Sequence, residues 1–141
     1  MDSLYLNKAA KAVIFDDSEQ THPHECCGFL YGTDVDNRII TEAIPVVNTR
    51  TENRERRFEI SPLEYMKAEA YADDNDLTLL GVYHSHPEHP AIASVHDLKQ
   101  AMPYFSYVIT SVKSAKVVDV KSWKLNDAGQ FIEEKVLEQT R

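Results

Sequence analysis

His84, His86 and Asp97 are of the residue types that hold a transition metal, and they lie within one short stretch of this chain. Residues 81–97 read Gly-Val-Tyr-His-Ser-His-Pro-Glu-His-Pro-Ala-Ile-Ala-Ser-Val-His-Asp. Leu77, Leu79, Leu80 and Val82 lead into it and predict a buried strand. Strand residues two apart share a face, so His84 and His86 project together. A metal bound by two imidazoles takes a third protein ligand from another element, and a catalytic metal keeps one position for water. Asp97 is the candidate. Pro87 and Pro90 end the strand, and Ser94 before Val95, Leu98 and Ala101 reads as the N-cap of a short helix with Asp97 in its first turn. The set reads as a zinc site.

Each part has an ordinary reading as well. A His-x-His pair in a strand is also the pattern of two hydrogen-bonded or surface histidines, and Ser94-x-x-Asp97 is also a weak capping box. The weight comes from five positions being met together. This pattern, His-Ser-His-Pro followed after six residues by Ser-x-x-Asp, resembles the JAMM (MPN+) zinc metalloprotease motif. The family's upstream Pro-x-Glu-x-Cys-Gly segment is matched by Pro23-His24-Glu25-Cys26-Cys27-Gly28, and the resemblance extends from about Glu19 to Leu125. It implies zinc bound by His84, His86 and Asp97, an oxyanion supported by Ser94, and Glu25 as acid and base. It also implies a JAMM/MPN, cytidine-deaminase-like fold. The family cuts after the Gly-Gly tail of ubiquitin-fold proteins. This chain, close to a minimal domain, is more similar to the small bacterial members that process ubiquitin-like sulfur carrier proteins.

Those roles are chemically coherent. Zinc with three protein ligands and a water brings that water's pKa from 15.7 towards about 7 and polarises a carbonyl. A carboxylate near the zinc but not bound to it can carry the proton to a leaving nitrogen, which is the part expected of Glu25. Ser94, one helical turn before Asp97, is placed to donate where the oxyanion develops. Ser85, between the histidines, should point away and has no catalytic part. His22, His24, His89 and His96 are expected in solvent, with His22 and His24 as conceivable extra ligands and His89 or His96 as orienting partners. Cys26 and Cys27, adjacent and without Cys-x-x-Cys spacing, are expected to pack as small apolar side chains.

Composition bounds the rest. The 141 residues carry a net charge of −8 with a pI near 5.2, which argues against nucleic acid or an anionic membrane as main partner. No apolar run approaches the ~20 residues of a membrane span, and no signal pattern opens the chain. One domain over residues 1–141 is expected, in the cytoplasm, where two unpaired cysteines fit a reducing compartment.

The elements that must position the site follow from pattern. Leu4–Leu6 reads as a short edge strand. Asn7 caps a helix over Lys8–Gln20 with Ala9, Ala12, Val13 and Phe15 inward. Cys27–Tyr31 and Arg38–Val47 read as a hairpin closed by Gly32 and Thr33–Asn37, with Pro45 at an edge or bulge. Phe58–Ile60 reads as a strand. Ser61-Pro62-Leu63-Glu64 opens a helix to about Asp74 that buries Leu63, Met66 and Ala70. Strands at Tyr107–Val112, Val117–Leu125 and Phe131–Val136 finish the chain, the last pair turning at Asp127–Gly129. The order predicts an α+β (mixed α/β) fold, a curved mixed β-sheet flanked by helices. The segment Asn48–Arg57, with Arg50, Arg54, Arg56 and Arg57, is expected as an exposed loop that helps clamp the substrate. Two other classes stay open: a non-catalytic MPN scaffold, and a zinc hydrolase acting on a DNA-repair-associated substrate.

Overall fold

The apolar run after Leu77 forms strand β4 (Thr78–Pro87), in which every residue beyond Thr78 is buried. Burial on both faces is what a run without polar alternation demands. The computed structural model describes residues 2–46 and 59–139. Strand β4 pairs antiparallel with β2 (Cys27–Asp34) and parallel with β5 (Ser106–Lys113). From there the sheet runs through β6 (Lys116–Leu125) and β7 (Phe131–Gln139) on one side and β3 (Arg38–Val46) on the other. Strand β1 (Ser3–Asn7) closes it into a barrel by pairing parallel with both β3 and β7. The expected edge strand Leu4–Leu6 is therefore an interior strand. Five residues cannot announce that both their edges are used.

Three helices accompany the sheet. Helix α1 (Lys8–Thr21) starts where the Asn7 side chain accepts from the Ala10 N–H, and it packs against β1, β3, β4, β5 and β6. Its buried row is Ala10, Ile14 and Ser18, with Val13 and Phe15 half-buried, while Ala9 and Ala12 are exposed. Alanines gave the expected stripe no direction, and the i, i+4, i+8 row that wins includes a serine. Ser18 tolerates complete burial because its hydroxyl bonds Ile14 O at 2.7 Å and Thr110 Oγ1 at 2.8 Å.

Helix α2 (Pro62–Asp74) has the expected Ser61 cap, but a different face is buried. Leu63 and Met66 are 57% and 69% exposed, Ala70 is exposed, and Ala68 and Ala72 are buried. Aromatic packing decides this. Tyr65 meets Phe29 edge to face at 5.2 Å and Tyr71 meets Tyr31 at 5.0 Å, and ring pairs of this geometry add to a large buried area. Tyr71 keeps its hydroxyl satisfied by donating to Glu42.

Two smaller differences concern ends. Strand β2 does not stop at Gly32 but bulges there and continues to Asp34. A Cβ on Gly32 would sit 1.8 Å from Ile39 O, so only glycine permits that approach. Glu59 and Ile60 are not in a strand; Phe58, Val47 and the arginine segment 48–57 lie outside the described residues. Pro45 lies beyond the three residues that pair β3 with β1, on a stretch bonded to β2 alone among the described residues, as an edge proline should. No helix is long and apolar enough to cross a membrane among the described residues.

Candidate metal centre and cleft

Alternation along β4 turns Tyr83 and Ser85 to the face that meets α1, and His84 and His86 to the other. The chain then passes through a loop into α3 (Val95–Gln100), whose N-cap is Ser94. The cap is a full capping box: Ser94 Oγ accepts from Asp97 N at 3.0 Å, and Ser94 N donates to Asp97 Oδ2 at 2.9 Å. This reciprocal pair aims the Asp97 carboxylate back at the strand. Asp97 Oδ1 lies 3.0 Å from His84 Nε2, and Oδ2 lies 3.1 Å from His86 Nε2. His84, His86 and Asp97 are all buried, and one ligand atom from each falls within 4.8 Å of the others. No other such group occurs among the described residues.

Protonation shows why these residues fit a metal. His86 Nδ1 is 2.8 Å from Pro90 O, a carbonyl that can only accept, so Nδ1 carries the hydrogen. Nε2 is then the ring nitrogen that faces Asp97 Oδ2. The two atoms stand 3.1 Å apart, close enough for one cation to bind both. Burial lowers the pKa of His84, against the pull of Asp97, and keeps that imidazole neutral and able to ligate. Burial alone would raise Asp97, but the neighbouring His84 and the hydrogen bonds the carboxylate accepts, the Ser94 N–H among them, outweigh it and hold the carboxyl well below its ordinary range. A neutral imidazole such as His84 and an ionised carboxylate such as Asp97 are donor forms that divalent metals bind.

Of the three, His86 borders a cleft of about 430 Å³ that Glu25, His89, Pro90, Ile92, Ser94, Val95 and His96 also line. Glu25, 2% exposed, stands just before β2 on that cleft. The structure thus brings together all five residues singled out from the sequence: Glu25, His84, His86, Ser94 and Asp97. The other histidines divide. His89 is exposed and His96 half-buried, and both line the cleft. His22 faces Glu88 at 3.2 Å, and neither it nor His24 belongs to the metal group. Cys26 and Cys27 are buried in opposite core clusters. Burial, then Asp17, pushes Cys26 up to about 12 against hydrogen bonds from Ser85 and Ser18, and burial raises Cys27 further still. Both stay thiols at neutral pH and pack as expected.

Several positioning groups gave no sequence signal. Ser111 Oγ donates to His89 O at 2.6 Å, Trp123 Nε1 to Ala91 O at 3.1 Å, and Glu88 N to Val112 O at 2.7 Å. Together they fasten the loop between β4 and α3, and with it the Pro90 carbonyl that orients His86. Nothing near Ser111 or Trp123 in sequence points to the cleft.

Comparison with known proteins gives the same answer. Residues 7–126 match the family described as prokaryotic homologs of the JAB domain. A desampylase of Pyrococcus furiosus is 30% identical over 114 residues, 80% of this chain and 75% of that one. A probable TtuB-protein conjugate cleaving protease of Thermus thermophilus is 44% identical over 87 residues, 62% of this chain and 55% of that protein. A CysO-cysteine peptidase of Mycobacterium tuberculosis is 29% identical over 120 residues, covering 84% of this chain and 80% of that one. Among solved structures, a Desulfitobacterium hafniense protein superposes with TM-score 0.84 at 30% identity, covering 98% of this chain and 94% of that one. A JAB1/MPN domain protein of Archaeoglobus fulgidus shares the fold, with TM-score 0.59 at 19% identity over 96% of this chain and all of its own. A family match across most of the chain, a shared fold and relatives named as peptidases make this protein a small prokaryotic member of the JAB (JAMM) domain family, and a hydrolase.

Proposed function

We propose that this chain is a zinc-dependent peptidase, one catalytic domain acting in the cytoplasm, that hydrolyses the bond after the C-terminal Gly-Gly of a ubiquitin-like sulfur carrier protein. The observation that carries the metal chemistry is the pair of imidazole nitrogens turned on one ionised carboxylate beside a cleft that Glu25 and Ser94 also line. His84, His86 and Asp97 would hold the zinc. Zinc there supplies Lewis acidity to water and carbonyl.

The remaining work falls to the protein. Glu25 takes the proton that the attacking water releases, and the water oxygen bonds to the scissile carbonyl carbon. As the C–N bond breaks, Glu25 returns that proton to the departing nitrogen, so the carboxylate ends as it began. Ser94 Oγ accepts from Asp97 N with a lone pair, which leaves its own O–H to donate to the oxygen that gains charge. The capping and the catalytic parts of Ser94 are therefore compatible.

Two relatives' names support the substrate class: a probable TtuB-protein conjugate cleaving protease and a CysO-cysteine peptidase. Two glycines suit an extended tail, since they pass where side chains cannot. The test is a carrier extended past Gly-Gly by a short peptide, with the products weighed by mass spectrometry. Zinc-loaded protein should release a carrier ending in Gly-Gly, and chelated protein should not. A carrier whose final glycine is replaced by valine should be nearly inert. Equal cleavage of the glycine and valine carriers would refute the assignment.

A further inference from the structure

Ser85 lies between the two histidines and faces away from them, fully buried. It takes no part in the chemistry, yet it bonds the main chain of Cys26, the residue that follows Glu25. The β2–β4 ladder ends at the pair Cys27 and His84. Cys26 and Glu25 lie beyond that end, outside the strand, although both are almost completely buried. At the next pair along, the main chain does not continue the ladder unaided. Cys26 N donates to the Ser85 hydroxyl oxygen at 2.9 Å, and Ser85 N donates to Cys26 O at 3.3 Å. One residue thus grips both backbone groups of Cys26.

We infer that Ser85 is a positioning residue: its hydroxyl prolongs the ladder by one step so that the preceding residue, Glu25, is delivered to the cleft at a set distance from His86. The same strand segment then presents two metal-facing imidazoles on one face and the clamp for the general base on the other, and relative placement of base and metal site is built into three consecutive residues. The clamp is itself braced. Ser18 Oγ approaches Cys26 Sγ at 3.7 Å and bonds Thr110 Oγ1 at 2.8 Å, and Thr110 is the register partner of Ser85 on β5. Strand β4 therefore holds the Cys26 backbone, helix α1 touches its side chain, and β5 anchors both Ser18 and the Ser85 strand.

This inference rests on the proposed peptidase reading for its kinetic arm, and its other arm needs no substrate. Removing the hydroxyl in Ser85→Ala should leave zinc content and KM near wild type and lower kcat by about 10²-fold, the scale of a misplacement near 1 Å. Ser85→Thr, which keeps the oxygen, should restore kcat. Because Ser85 acts through Glu25, adding Ser85→Ala to Glu25→Gln should cost nothing further. If Ser85→Ala does not fold, Ser85→Cys, a longer and weaker acceptor, carries the same comparison. By NMR hydrogen exchange, the Cys26 amide should be protected in wild type and exchange about tenfold faster or more in the hydroxyl-less variant. Zinc loss in Ser85→Ala, a KM effect alone, failure of Ser85→Thr to rescue, or an additive loss in the double variant would each overturn the inference. If zinc-loaded wild type cleaves no carrier, the peptidase reading has failed. The exchange arm then judges the clamp alone: a Cys26 amide unprotected in wild type removes it, and a protected one that is freed by Ser85→Ala supports it.

Discussion

Ser94 has two parts in this reading, and their magnitudes separate them. As N-cap of α3 its hydroxyl accepts one backbone hydrogen bond, from Asp97 N at 3.0 Å. Losing a serine cap to alanine costs about 1 kcal/mol. At ~1.4 kcal/mol per tenfold, that is roughly a fivefold change in how fully α3 stays formed. Asp97 itself would remain tethered, because the donor to its Oδ2 is the main-chain N–H of residue 94, which the substitution keeps. The cap therefore accounts for at most about tenfold in activity. A lost oxyanion donor costs about 10²–10³-fold. Ser94→Asp sharpens the contrast: aspartate caps as well as serine, but an ionised carboxylate has no proton to donate and repels the developing charge. We expect Ser94→Ala to lower Tm slightly and kcat by about 10²-fold or more, and Ser94→Asp to keep Tm and zinc while losing kcat at least as severely. The assays are thermal denaturation, elemental analysis and steady-state cleavage of the Gly-Gly carrier. Near-wild-type turnover in Ser94→Asp would refute the donor role and leave Ser94 as a cap alone.

Other outcomes test the remaining groups. His86→Ala should purify without zinc, since it removes a ligand whose tautomer Pro90 sets; full occupancy by elemental analysis would sink the ligand assignment. Glu25→Gln should retain zinc and fold yet lose about 10²–10⁴-fold in turnover, and unchanged turnover would remove it as proton carrier. Metal-free protein should lose stability as pH falls below about 6.5, because unfolded histidine gains a proton there while buried His84, its pKa lowered, does not. A second loss should follow below about pH 4, where unfolded aspartate is protonated but Asp97, lowered further, still is not. A pH-independent Tm for chelated protein between pH 7 and 5 would contradict the first step.

How much of this was legible in the chain depends on the range of each signal. The metal-facing pair is local: a period of two decides that His84 and His86 share a face, and the serine–aspartate spacing of a capping box decides where Asp97 points. Those readings need only nearest neighbours along the chain, and the distances bear out the juxtaposition. Helix caps at Asn7 and Ser61 were legible for the same reason. Which face of each helix is buried was not. On α2 the choice turned on Tyr65 and Tyr71 finding Phe29 and Tyr31 some forty residues upstream, and on α1 the buried Ser18 meets Thr110, ninety-two residues away, besides its local bond to Ile14 O. The closure of the sheet through β1 likewise depends on strands at the two ends of the chain meeting. The groups that hold Glu25 and the Pro90 carbonyl in place, Ser85, Ser111 and Trp123, are ordinary residues in sequence. Local spacing determined which atoms could share a metal; the long-range pairing of a closed sheet decided which base, cap and clamp stand beside them.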